Sequence, residues 1–152
     1  MGYNPSKTVY PFAEIFEVTT SKVADASVDI WDIPAGTIIT MVLAKIKTAG
    51  VTTGNLIIGD DDDDDGYLIA ADACAAVDTI YGDMIEERGR YIAGGVAGTP
   101  AGASCSPAWK AYTCAGTVGT PVAKELKIEQ SGTLTTAAVI EVFVFGYRYA
   151  ES

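Results

Sequence analysis

An all-β fold, an antiparallel β-sandwich of jelly-roll type, is what this sequence predicts. Three observations lead there. About eight short stretches alternate apolar and polar residues with a period of two, turn residues interrupt them roughly every ten positions, and helical periodicity is almost absent. No internal repeat is visible, and the length of 152 residues suits one domain with one core.

Residues 1–11 carry Gly2, Pro5 and Pro11 and little pattern, and read as an extended N-terminal arm that orders against a partner. Residues 12–152 form the single sandwich domain. In its first strand Phe12, Glu14, Phe16 and Val18 face one way and Ala13, Ile15, Glu17 and Thr19 the other. A polar turn over 20–25 leads to a strand in which Val28 and Ile30 alternate with Asp29, Trp31 and Ile33. Pro34-Ala35-Gly36-Thr37 is a tight turn, because proline presets its φ and glycine accepts a positive one. The run at 37–48 is rich in β-branched residues and becomes amphipathic toward its end, as a core strand does.

Leu56-Ile57-Ile58 stops at Gly59, six aspartates follow, and Gly66 opens a second apolar run, Tyr67-Leu68-Ile69. That is the pattern of two strands joined by a surface loop. Neighbouring carboxylates repel by about 1 kcal/mol per pair even in water, so six of them need solvent, a cation or partial protonation. The alanine-rich stretch 70–76 suits one or two helical turns, or a closely packed loop. Residues 79–119 form a Gly/Pro-rich, loop-dominated excursion in which 91–93 and 108–112 read as short strands. Alternation returns at 123–130, with Leu126 and Ile128 opposite Glu125, Lys127 and Glu129. The last strand, 139–149, places Ile140, Val142 and Val144 on one face and Glu141, Phe143, Phe145 and Tyr147 on the other. Both faces are too apolar for either to be fully wet, so the strand is central or its outer face is covered by another protein.

The aspartate loop contains a calcium-type spacing. Asp61, Asp63, Asp65, Gly66 and Asp72 fall at positions 1, 3, 5, 6 and 12 of D-x-D-x-D-G-x5-E, with Leu68 at the apolar position 8. Alternating oxygen ligands and a glycine for the sharp turn are what a hard cation needs. Against this, position 12 holds Asp where the longer Glu binds through both oxygens, no helices flank the loop, and a run of aspartates matches D-x-D-x-D by chance. A solvated acidic turn is the preferred alternative, and no cofactor is required.

Catalysis has little to stand on. With no histidine, Ser–His and Cys–His nucleophile pairs and every His-containing metal site are excluded. A carboxylate pair for glycosidase chemistry is not legible among the acids. The glycine-rich stretch 94–102 lacks the lysine and following helix of a phosphate loop. Three cysteines (Cys74, Cys105 and Cys114) cannot complete a disulfide framework, although Cys105 and Cys114 could pair if oxidised. Trp31, Trp109, Tyr112, Tyr147 and Tyr149 suit either core and inter-subunit packing or a sugar platform, with packing preferred. A net charge of −10 argues against nucleic acid as partner. No apolar run is long enough for a membrane span, and the N-terminus has no signal-peptide pattern, so synthesis in a cytoplasm is expected.

Several of these stretches have a familial look. The run from Ile33 to Thr37, residues 42–47, Leu56-Ile57-Ile58-Gly59-Asp60, Asp65-Gly66-Tyr67-Leu68 and Asp72, with the ending Gly132-Thr133 through Ile140 to Tyr147 and Tyr149, resembles small β-sandwich virion proteins of tailed bacteriophages. In those a strand after "PAGT" is followed by "IGD…DGYL". The likeness covers roughly 28–72 and 123–149 and leaves 79–119 unmatched; the long aspartate run departs from the usual mixed loop. It implies a head-decoration, head-fibre or tail-associated component, located in the virion and assembled in the host cytoplasm. Major capsid or other virion proteins are the partners it implies, with a homo-oligomer, a trimer favoured. It transfers no catalytic residues. A calcium-dependent carbohydrate-binding module, using the aspartate loop and Trp31 or Trp109, is the competing reading.

Overall fold

The computed structural model describes residues 7–93, 110–112 and 124–151. Its strands are β1 (Lys7–Thr19), β2 (Ala26–Ile33), β3 (Thr37–Thr48), β4 (Val51–Thr52), β5 (Asn55–Asp60), β6 (Asp63–Asp72), β7 (Ile80–Tyr81), β8 (Lys110–Tyr112), β9 (Lys124–Ser131), β10 (Leu134–Thr136) and β11 (Val139–Glu151). A 3-10 turn (Ile85–Glu87) and one short helix, α1 (Arg90–Ala93), complete the list.

Two antiparallel sheets pack as a sandwich, as the alternation predicted. The first runs β1-β11-β3-β7, with β8 also paired to β3; the second runs β2-β9-β5-β6. β4 and β10 form a separate two-stranded ribbon. The chain crosses from the first sheet to the second after β1 and returns for β3, which is how one face of each sheet comes to be buried against the other.

Ile140, Val142 and Val144 point inward and are fully buried, as their shared face required. Ile39, Val42 and Ile46 of β3 meet them from the next strand, and Leu56, Ile58, Leu126 and Ile128 close the core from the second sheet. Gly146 continues the inward row of β11 because a Cβ there would run into the Ile38 carbonyl at a register shift between the two strands.

Four expectations are corrected. The arm expected over 1–11 does not extend past residue 6, because Lys7 to Pro11 already pair with β11, in register from Lys7↔Glu151 to Pro11↔Tyr147. Alternation in β2 breaks at a bulge: Asp29 pairs with Lys127 and Trp31 with Leu126, leaving Ile30 as the extra residue. The bulge turns Trp31 inward onto Phe12 and Phe16, with ring centroids 5.9 and 5.5 Å away. Tyr91-Ile92-Ala93 lies in α1 rather than in a strand, since a three-residue apolar run cannot by itself distinguish the two. The alanines at 70–76 form no helix. β6 runs on to Asp72, whose carboxylate accepts the Cys74 amide at 2.8 Å, and Ala73 is held by backbone bonds to Gly50 and Gly54.

Candidate functional site

The outer faces of the two sheets differ in chemistry, and the difference follows from strand register. On the outside of the first sheet the cross-strand rows are Pro11–Tyr147–Ile38, Ala13–Phe145–Met41 and Ile15–Phe143–Leu43. None of these side chains belongs to the core cluster; Ile15 is 63% and Tyr147 43% exposed, and Phe143 and Phe145 are half-buried by their own neighbours. The next row, Glu17–Glu141–Lys45, is charged. It is closed by ion pairs: Glu17 with Lys47, and Lys45 with Asp78 at 2.8 Å and Glu141 at 3.7 Å.

At the usual strand spacings three strands by three rows make an apolar field on the order of 300 Å². That is the size of the largest patch on an ordinary monomer, and such patches are often functional. An apolar field bounded at one end by a row of paired charges also suits a protein–protein interface. The second sheet presents the opposite surface. Leu126, Ile128 and Gln130 turn inward, so Glu125, Lys127 and Glu129 of β9 turn outward, beside Ser27, Asp29 and Asp32 of β2. One face suits contact, the other water.

The aspartate run lies at one end of this second sheet. The sequence places a surface loop there, but the run enters the strands: β5 ends at Asp60, β6 begins at Asp63, and only Asp61 and Asp62 form the turn. Asp60 and Asp63 are therefore buried, 4% and 8% exposed, which corrects the expectation of a wholly solvated run. Asp60 Oδ1 accepts the amides of Asp62 (2.9 Å) and Asp63 (3.2 Å), and the Tyr91 hydroxyl donates to it at 3.3 Å. Asp61 pairs with Lys127 Nζ at 2.5 Å, Asp62 with Lys124 Nζ at 2.8 Å, and Asp63 with Arg90 Nε at 2.5 Å. The Lys127 ammonium hydrogen-bonded to Asp61 holds that carboxyl below the usual carboxylate range, and Asp61, then Glu125, raise Lys127 in return. Much of the counter-charge the run requires comes from the chain itself.

Opposite Gly59 the ladder is irregular: Ile58 pairs with Leu68 and Asp60 with Asp63, so β6 spends more residues than β5 over the same span. A Cβ on Gly59 would collide with the Asp63 carbonyl, and one on Gly66 would fall inside the Tyr91 ring. Tyr67 is fully buried and meets Tyr91 edge-on at 5.1 Å. The Ile-Gly-Asp and Asp-Gly-Tyr-Leu signatures thus encode how this hairpin and α1 fit together.

The four candidate calcium ligands are not gathered into one cage. Asp61 faces Lys127, and Asp63 lies beside Asp64 and Asp65, whose carboxylate oxygens come within 4.8 Å of one another. Asp72 sits at the far end of β6, paired with Asn55, and accepts the Cys74 amide. A cation at Asp63 would have to compete with Arg90. The melting temperature is expected to be the same in excess chelator and in millimolar calcium; a specific site with submillimolar affinity would raise it by mass action.

Of the aromatic candidates, Trp31 is packed between the sheets, with the Arg148 guanidinium over it at 5.2 Å, and offers no open platform. Tyr147 is on the apolar outer face. Tyr112 lies in β8 and Tyr149 in β11, while Trp109, Cys105 and Cys114 lie outside the described residues. Cys74 is a free, half-buried thiol that donates to the Thr52 carbonyl at 2.8 Å. Arg90, Tyr91 and Lys124 are the site residues that sequence reasoning missed. Nothing in their local sequence connects them to the aspartate run.

Neither a protein-family model nor a curated protein matches the chain. Among solved structures the chain is similar to one in the cyanophage Pam1 capsid asymmetric unit, with 16% sequence identity and a TM-score of 0.52. The match covers 97% of this chain and 90% of that one. At this identity the likeness is one of fold.

Proposed function

We propose that this protein is a non-enzymatic structural component of a phage virion, of the capsid-decoration type, which binds the particle surface and self-associates. The observation that carries the reading is a shared fold along nearly the whole of both chains with a protein from a phage capsid asymmetric unit. The two outer faces support it. The apolar face of β1-β11-β3 seats against other virion proteins, and the acidic face of β2-β9-β5-β6 stays in water, where like charge keeps particles apart. An apolar field on the order of 300 Å² is less than half of what one partner contributes to a standard interface. Contact therefore extends past these nine side chains, onto the flanking strand edges.

Quantitative mass spectrometry of gradient-purified virus particles carrying this chain tests the proposal. The expected result is a fixed, high copy number relative to the major shell protein. A few copies per particle would move the assignment to tail or head-fibre parts, and absence from particles would overturn it.

A further inference from the structure

We propose that the aspartate run is an internal ionic clamp that ties two segments distant in sequence, α1 and the start of β9, to one hairpin. Four consecutive residues divide the task. Asp63 holds Arg90 and Asp60 accepts from Tyr91, both in α1, the element before the stretch 94–123. Asp62 holds Lys124 and Asp61 holds Lys127, at the start of β9, the element after it. One hairpin turn thus grips two segments that are distant in sequence, from opposite sides.

Local geometry explains why the run has to be continuous at these positions. A two-residue turn projects Asp61 and Asp62 toward the β9 side, while the buried pair Asp60 and Asp63 closes the hairpin and faces α1. The Tyr91 ring seated over Gly66 sets the position of α1, and Arg90 then falls within reach of Asp63. Holding segments this far apart in sequence at one turn costs conformational entropy, and the paired charges offset it. Asp64 is exposed and stands outside this division of labour. The clamp is therefore a matter of particular carboxylates, and a run that served only solubility would show no such dependence.

Hydrogen–deuterium exchange on the full chain tests this. In the variant Asp61→Asn/Asp62→Asn/Asp63→Asn, amides of residues 90–93 and 124–127 are expected to exchange about tenfold faster, with those of 139–146 changed less than about twofold. Asp64→Asn is expected to match the parent throughout. Acceleration below about twofold at either segment, an equal effect of Asp64→Asn, or uniform acceleration that includes 139–146 would each overturn the clamp. Should the triple variant fail to fold, the parent protein decides by salt. Raising ionic strength from about 0.01 M to about 1 M shortens the screening length from roughly 30 Å to roughly 3 Å. The same two segments should then open together, and a flat response there overturns the proposal.

Discussion

Val142→Asp is expected to abolish soluble folding. Val142 has no exposed surface, and its strand, β11, is the one that joins β1 to β3, with Phe16 and Ala44 as its cross-strand partners. A carboxylate at that point has no described cation beside it. It must either be buried charged or take a proton, and either route costs several kcal/mol. Total stability of a domain this size is only about 5–15 kcal/mol, so one such change removes much or all of it. The check is the soluble yield of the variant and, for any soluble material, its denaturation midpoint beside the parent's. A soluble variant with an unshifted midpoint would show that this face of β11 is not the core.

Phe145→Asp, one position along the alternation from Val144, is expected to do the reverse: leave the fold intact and remove particle binding. Its side chain lies on the outer face between Ala13 and Met41, half-buried only by its neighbours. A carboxylate there keeps its water in the free protein, so folding should change by no more than about 1 kcal/mol. In a docked state the same carboxylate would be stripped of solvent in the centre of the contact, where aromatic anchors carry most of the binding energy. A loss of about a hundredfold in affinity, near 2.7 kcal/mol, is expected for purified protein added to particles lacking it. Co-sedimentation with particles reads the loss, and circular dichroism confirms the fold. Unchanged binding would exclude this face as the docking surface.

Much of the sandwich was legible because period-two alternation reports directly on burial. Leu126 and Ile128 against Glu125 and Lys127, and Val142 and Val144 against Phe143 and Phe145, fall on the faces their spacing predicts. Where alternation stops reporting, the reading failed. Aspartate is a poor strand former, so Asp60 and Asp63 read as loop although both are in strands. Their partners are Arg90 on Asp63 and Tyr91 on Asp60, far along the chain and invisible to any local window. Asp29 and Trp31 read as sharing a face because a single bulged residue between them reverses the alternation beyond it. Thr8 to Pro11 looked patternless because both of that strand's faces are exposed at this point, so no burial constraint wrote a pattern there. The apolar outer face was foreseen as a surplus of hydrophobic residues in the last strand. Its extent across β1 and β3 was not, since that depends on register between strands.

The place of β11 also has a consequence in time. It is the last of the described strands to be made, yet it lies between β1, the first, and β3. During synthesis the first sheet cannot grow strand by strand. β1 and β3 leave the ribosome with the gap between them open, and they stay unpaired on those edges until β11 has emerged. The second sheet can assemble from β2, β5, β6 and β9 before that moment, so the nascent chain carries a half-built sandwich with one apolar surface waiting. Pairings this distant in sequence are slow, on the order of milliseconds to seconds. The interval of greatest exposure to aggregation and to chaperones therefore lasts until β11 emerges, when the other described strands have been made and the one that joins β1 to β3 is still missing.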